Sequence, residues 1–132
     1  MKRTLSIAVI FSMGLTLLVT AGSLAANITA LSKDQLKAEL NQSEMVVIDV
    51  RPTFSWLLSG SKIPTAVRED PGEVPSWITK YDKDQPIVLY CQTQVTSAGV
   101  AGQLADAGFK KVYVLHGGWH EWSNARYPTA KK

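Results

Sequence analysis

The chain has 132 residues, enough for one domain and too few for two of ordinary size. It carries 14 Lys+Arg against 11 Asp+Glu. Two of those cations, Lys2 and Arg3, fall in a leader-like start, so the rest of the chain has 12 against 11 and is close to neutral. With only Lys131-Lys132 as a basic tail and no basic-aromatic interleaving, the sequence is not that of a nucleic-acid binder.

Met1-Lys2-Arg3 is basic, Ile7 to Val19 is almost wholly apolar, and Ser23-Leu24-Ala25 meets the small-x-small rule of a cleavage site. The segment 1–25 reads as a signal peptide, cut after Ala25 or alternatively after Ala26, which leaves a mature domain over 26–132 in the periplasm. An uncleaved N-terminal membrane anchor is the alternative, but the run is short against the about 20 residues a span requires. Cleaved, the chain keeps no membrane segment. Its single cysteine, Cys91, cannot form an internal disulfide even where the compartment would permit one. Either the thiol is buried or it is exposed and kept for chemistry.

Asn27 to Leu31 can form a short edge strand. Ser32-Lys33-Asp34-Gln35 has the spacing of a capping box, followed by a helix with Leu36 and Leu40 on one face and an end near Asn41-Gln42. Met45 to Val50 is a β-branched run and reads as a buried strand, with Asp49 and Arg51 at its end. An acid inside an apolar run needs a partner, and Arg51 or a backbone donor is the nearest choice. Pro52 opens a short helix through Phe54, Trp56, Leu57 and Leu58, closed by Ser59-Gly60. Ile63 to Val67 reads as a brief strand starting after Pro64, and Arg68 to Glu73 as loop. Pro75 starts a helical turn through Trp77, Ile78 and Tyr81, and the polar run Asp82 to Gln85 closes it.

Ile87 to Tyr90 is the next buried strand, and it delivers Cys91 to its C-terminal end. A polar loop follows, then a helix from Ser97 to Ala107 with Val100 and Leu104 in its stripe and Gly108 at its C-terminal end. Ligands bind at strand ends in open parallel sheets. A cysteine between a strand end and a helix start meets free backbone N–H groups and the positive end of the helix dipole, which favour a thiolate. The bland alternative is a buried small hydrophobe, and spacing alone leaves both open. Val112 to Leu115 is one more strand, Trp119 and Trp122 fit a final helix, and Tyr127-Pro128 ends the ordered part. The alternation predicts an α/β fold, a mostly parallel sheet of four or five strands with helices on both faces.

Other chemistry is poorly supported. His116 and His120 have helical spacing, but Gly117-Gly118 interrupts the pair and only Glu121 and Cys91 could join them, so no metal site is assigned. Ser97 has no His/Asp relay, and no phosphate-binding glycine loop is present.

Taken together, Asp49-Val50-Arg51, then Ser61-Lys62-Ile63-Pro64-Thr65-Ala66, then Leu115-His116-Gly117-Gly118-Trp119-His120-Glu121-Trp122 before Tyr127-Pro128 resemble the signatures of the rhodanese-like domain. The resemblance runs from about Leu31 to Pro128. It implies a sulfurtransferase in which Cys91 takes a sulfane sulfur from thiosulfate or another small donor, holds it as a persulfide, and passes it to cyanide or a thiol. No cofactor is implied. The loop Gln92, Thr93, Gln94, Val95, Thr96 and Ser97 would then bind the substrate, with Asp49, Arg51 and Lys62 in support. The family commonly has glycine where this chain has Gln94, arginine at the position of Thr96 and histidine at that of Lys62. Glutamine is expected to resist the φ/ψ of a tight loop, and Thr96 gives an oxyanion no cation. Weak thiosulfate activity or a different donor follows. The alternative is an inactive binding or regulatory module with a periplasmic protein partner, although inactive relatives commonly lack the cysteine. The phosphatases of this fold have a longer loop that ends in arginine, which Thr96 is not.

Overall fold

The computed structural model describes residues 27–42 and 44–132; the leader expected over 1–25 lies outside the described residues. In chain order the first elements are β1 (Ile28–Leu31), α1 (Lys33–Glu39), β2 (Val46–Asp49), α2 (Thr53–Leu58), β3 (Ser61–Lys62) and β4 (Val67–Arg68). Then come α3 (Val74–Trp77) with a 3-10 turn over Ile78–Lys80, β5 (Ile87–Tyr90), α4 (Val95–Asp106), β6 (Val112–Leu115), α5 (Gly118–Asn124) and β7 (Ala130–Lys131).

Five strands form one parallel sheet in the order β1-β6-β5-β2-β4. Strand β5 is buried at every position and lies between β2 and β6, with Ile48 opposite Leu89 and Asp49 opposite Tyr90. Its side chains alternate between two cores, as a strand covered on both faces must. On one face Ile87 and Leu89 pack with Trp77 of α3 and Val100, Ala101 and Leu104 of α4. On the other, Val88 and Tyr90 pack with Leu36 of α1 and Trp122 of α5. The expected α/β architecture is thus present, with five strands. Among the described residues no helix is long and apolar enough to cross a membrane.

Local chemistry sets several element ends. The capping box of α1 is complete: the Gln35 N–H donates to Ser32 Oγ at 3.1 Å and the Ser32 N–H to Gln35 Oε1 at 2.9 Å. Gly108, with φ +95°, follows α4 and turns the chain toward β6.

Four expectations are corrected. Residues Ile63 to Ala66 are a turn and not a strand: Thr65 has φ +68°, the Ala66 N–H returns to the Ile63 carbonyl at 3.1 Å, and the Ile63 N–H goes to the Tyr90 hydroxyl at 3.2 Å. With those groups engaged, only Val67–Arg68 remains to pair with β2. Helix α1 ends at Glu39 and not near Asn41-Gln42. Helix α4 starts at Val95, two residues before Ser97, so the loop after Cys91 is shorter than its polar sequence indicates. Finally, order does not end at Pro128. Residues Ala130–Lys131 pair antiparallel with Ser61–Lys62 in a small second sheet.

Candidate active site

The end of β5 and the start of α4 are joined by Cys91 to Gln94 alone. Cys91 is 2 % exposed and packs in the core that α4 covers, so the expectation that a thiol kept for chemistry would be exposed is corrected. Gln94 occupies the N-cap position but its side chain caps nothing there. The third N–H of the helix, that of Ser97, instead reaches Cys91 Sγ at 3.3 Å. That N–H is one of the donors that a helix start leaves without an intrahelical acceptor. The sulfur therefore takes the place of a capping oxygen, at the positive end of a helix of 12 residues.

The Ser97 hydroxyl adds a second contact. Cys91 Sγ lies 3.4 Å from Ser97 Oγ, which is itself 3.2 Å from the Gln94 carbonyl oxygen. With the thiol protonated, S–H donates to Oγ and the hydroxyl donates to Gln94. With a thiolate or a persulfide, the hydroxyl can turn and donate to sulfur. Two donors on one residue can thus serve a sulfur anion, and Ser97 itself is fully buried.

The loop is held from the opposite side by the turn between β6 and α5. The Trp119 N–H donates to the Cys91 carbonyl at 2.8 Å and the His120 N–H to the Gln92 carbonyl at 2.9 Å. Both donors belong to the first turn of α5. Their approach depends on Gly118, whose φ is +53° and on which a Cβ would stand 2.1 Å from the Thr93 oxygen and 2.5 Å from the Cys91 oxygen. Gly117, at φ +72°, makes the preceding left-handed step and donates its N–H to Gln94 Oε1 at 3.3 Å. The glycine pair of the closing signature therefore has a mechanical reason: Gly118 lets this backbone lie on that one, and Gly117 takes the left-handed step that leads into it.

Asp49 and Arg51 form a framework beneath the site. Arg51 is fully buried; its Nε donates to both Asp49 oxygens at 3.0 and 3.1 Å and its Nη2 to Oδ2 at 2.6 Å and to the Ser61 carbonyl at 3.0 Å. The guanidinium lies 4.6 Å from the centre of the Trp119 ring. Tyr90 completes the network, its hydroxyl donating to Asp49 Oδ2 at 2.8 Å. Burial first, and then the charge of Asp49, push the Tyr90 hydroxyl far above its ordinary pKa, so it remains a donor. Arg68 closes the set by donating to the carbonyls of Asp49 and Arg51.

The residues singled out in the sequence separate into three groups. Cys91, Gln94 and Ser97 are bonded to one another around the sulfur, while Gln92, Thr93 and Val95 are exposed and Thr96 is half-buried in the first turn of α4. Asp49 and Arg51 make no hydrogen bond to the sulfur; their link to it runs through Tyr90 at the end of β5 and Trp119 above the loop. Lys62 donates to the Ala66 carbonyl at 2.7 Å, within its own turn. Gln94 has φ −155° and not the left-handed value that would have opposed a glutamine, so that expectation is corrected. The sequence places Gly118 and Trp119 in the closing signature and Tyr90 in a strand, but gives none of the three a role at the site. The signal for the first was a Gly-Gly step directly after a buried strand. No group of three or more His, Cys, Asp or Glu able to hold a metal occurs among the described residues.

Comparison with known proteins identifies the family and the fold. The chain is 32 % identical over 91 residues to the thiosulfate sulfurtransferase GlpE of Coxiella burnetii, covering 69 % of this chain and 82 % of that one. It is 33 % identical over 89 residues to the protein of the same name from Pseudomonas savastanoi pv. phaseolicola, covering 67 % and 81 %. Among solved structures, a rhodanese-related protein from Thermoplasma volcanium superposes with a TM-score of 0.69 at 18 % identity, covering 79 % of this chain and 99 % of that one. A rhodanese-like domain protein from Staphylococcus aureus gives 0.64 at 25 % identity, covering 71 % and 90 %. The model of the rhodanese-like domain matches residues 32–125, from the N-cap of α1 to the C-cap of α5. Within that span lie Cys91, the helix that caps it and the glycine turn that clamps it, and the chain belongs to the rhodanese-like domain family.

Proposed function

We propose that this protein is a rhodanese-type sulfurtransferase in which Cys91 carries the sulfane sulfur as a persulfide. The observation that carries the reading is the Ser97 N–H directed at Cys91 Sγ from the head of α4, at 3.3 Å. Relatives at 32 and 33 % identity that bear the name thiosulfate sulfurtransferase support the reaction class.

The chemistry needs one nucleophile and no cofactor. The Cys91 thiolate attacks the outer sulfur of a sulfane donor, the new S–S bond forms on Sγ, and the donor's own S–S bond breaks. With thiosulfate the departing group is sulfite, which leaves with the electron pair. The persulfide anion then faces the Ser97 N–H, the Ser97 hydroxyl and the helix dipole, all of which stabilise negative charge there. In the second step cyanide or a thiolate attacks the outer sulfur and Cys91 leaves as a thiolate. The segment 91–97 carries no charged side chain. A doubly charged donor therefore meets dipoles but no countercharge from the loop, and weak thiosulfate turnover is the expectation.

The test is the mass of the mature protein after incubation with a sulfane donor. Wild type should gain about 32 Da, one sulfur atom, removable by cyanide or a reductant. Cys91→Ser should gain none, because a hydroxyl is a poor nucleophile at neutral pH. Absence of an adduct with thiosulfate and with polysulfide alike would end this reading. The same mass spectrum reads the location: a chain beginning at Ala26 or Asn27 supports export to the periplasm, and a full-length chain in membranes supports an anchor.

A further inference from the structure

Helix α2 buries none of its six residues, although four of them are Phe54, Trp56, Leu57 and Leu58. Phe54, Leu57 and Leu58 have the spacing of one helical face and are 74, 63 and 73 % exposed. An apolar face of this kind costs free energy in water, and large exposed patches mark interaction sites. The Trp56 ring of the same helix is held by cations. Arg68 lies 5.1 Å and Lys132 3.8 Å from the centre of the Trp56 ring, and Lys132 also donates to the Ser59 carbonyl at 2.8 Å. Lys132 and the exposed Lys131 before it are in no ion pair among the described residues, whereas Arg68 is taken up by the Asp49 and Arg51 carbonyls. The face also borders a cleft beside the cysteine loop, although Cys91 itself does not line it. Leu58, Ser55 and Ser59 line this cleft of about 440 Å³, whose other wall is Gln92, which follows Cys91, and Trp119, whose N–H donates to the Cys91 carbonyl. Val95, in the first turn of α4, is 80 % exposed.

We propose that α2 is the docking surface for a protein thiol, and that the sulfur acceptor of Cys91 is a cysteine carried on an apolar segment flanked by acidic residues. This rests on the persulfide reading of Cys91. Leucine or phenylalanine side chains of the partner would cover Phe54, Leu57 and Leu58, its acids would meet Lys131 and Lys132, and its cysteine would lie over the cleft beside Gln92. The partner thiolate attacks the outer sulfur of the Cys91 persulfide; one S–S bond forms, the bond to Cys91 Sγ breaks, and the electron pair stays on Cys91. The proton count and the oxidation level of the sulfur are unchanged. An anionic lipid surface would meet the same cations and apolar face, but it offers no thiol to a site built around sulfur transfer.

The experiment begins with protein whose persulfide load has been verified by mass, so a failure to load refutes the Cys91 reading and is not confused with a failure of docking. The loaded protein is mixed with two synthetic peptides. One has a single cysteine among leucine and phenylalanine with aspartates at both ends; the other has serine in place of each apolar residue. The apolar peptide should take the sulfur about tenfold faster or more, as burial of one large side chain would give. The double variant Phe54→Ser, Leu57→Ser should reduce that rate to the rate of the serine peptide and leave transfer to cyanide unchanged. Equal rates for the two peptides, or a variant that transfers as wild type does, would overturn the proposal. So would an α2 face already covered by a second copy, seen as a dimer that the double variant dissociates. Binding to phosphatidylglycerol vesicles without a peptide preference would assign the face to lipid and overturn it as well.

Discussion

Gly118 approaches Thr93 so closely that a Cβ would stand 2.1 Å from the Thr93 carbonyl oxygen. Two elements far apart in sequence thus share one backbone contact, and the cysteine loop takes its shape from it. Gly118→Ala must move either the loop or the first turn of α5, and it places a side chain at φ +53°. The expected cost is about 3 kcal/mol, from backbone clash and left-handed strain together. Urea denaturation measures it. Persulfide formation on Cys91 should fall further than stability alone explains, because the Trp119 and His120 donors lose the Cys91 and Gln92 carbonyls. A variant with wild-type stability and loading would show that the contact is dispensable.

Ser97→Ala separates the two donors that face the sulfur. The backbone N–H at 3.3 Å remains, and the hydroxyl at 3.4 Å is lost. A hydrogen bond to a charged group is worth roughly 1.5–3 kcal/mol. Persulfide formation should slow by about tenfold or more, since about 1.4 kcal/mol is one decade in rate. The fold should be retained, because the hydroxyl's other partner is a carbonyl at the helix start. An unchanged loading rate would mean that the N–H and the dipole suffice.

Tyr90→Phe tests the framework and its pH dependence. The hydroxyl accepts from the Ile63 N–H at 3.2 Å and donates to Asp49 Oδ2 at 2.8 Å, so its loss leaves two buried groups short of a partner. A destabilisation of about 2–3 kcal/mol at neutral pH is expected. In the folded protein burial holds the proton on Tyr90 well above the ordinary value of 10.0. The unfolded chain therefore releases that proton first. The stabilisation is complete below pH 10 and declines as pH rises above it, toward the folded-state value. Tyr81, raised by burial, and Tyr127, raised by its hydrogen bond to Asp34, act in both proteins alike. The gap between wild type and Tyr90→Phe should accordingly narrow above pH 10. A gap independent of pH would contradict the buried, protonated hydroxyl.

What the sequence made legible was local. Ser32 and Gln35 announce α1 because a capping box closes within four residues, and the β-branched runs at Val46 and Ile87 announce buried strands because both faces are covered. Cys91 was readable as a strand-end thiol. Three features were not readable, each for its own reason. The pairing of Ala130–Lys131 with Ser61–Lys62 depends on a partner about 70 residues away and has no β-branched run to mark it. The spacing of Phe54, Leu57 and Leu58 specifies a face but not the direction in which it points. The backbone values at Gln94 follow from where α4 starts, and α4 starts at Val95 because the Cys91 sulfur serves Ser97 as its capping acceptor. That capping is a tertiary contact of the site itself.

The absence of a charged side chain from the loop makes the last prediction. Thr96 is in the first turn of α4, half-buried, next to the residue whose N–H reaches the sulfur. Thr96→Arg brings a bidentate cation to the mouth of the site, where a dianionic donor must approach. At roughly 1.5–3 kcal/mol for a charged hydrogen bond, kcat/KM for thiosulfate should rise about tenfold or more. A neutral donor such as dimethyl trisulfide offers the guanidinium no charge, and its rate should not change. The gain should also shrink in about 1 M salt, where the Debye length is about 3 Å. Gln94→Gly should not be needed and should not help by itself. Gln94 already has a negative φ, and its Oε1 accepts the Gly117 N–H that steadies the turn onto Gly118. An equal gain for both donors would trace the effect to the loop's shape, and rescue by Gln94→Gly alone would do the same. A gain confined to thiosulfate and lost in salt assigns it to charge.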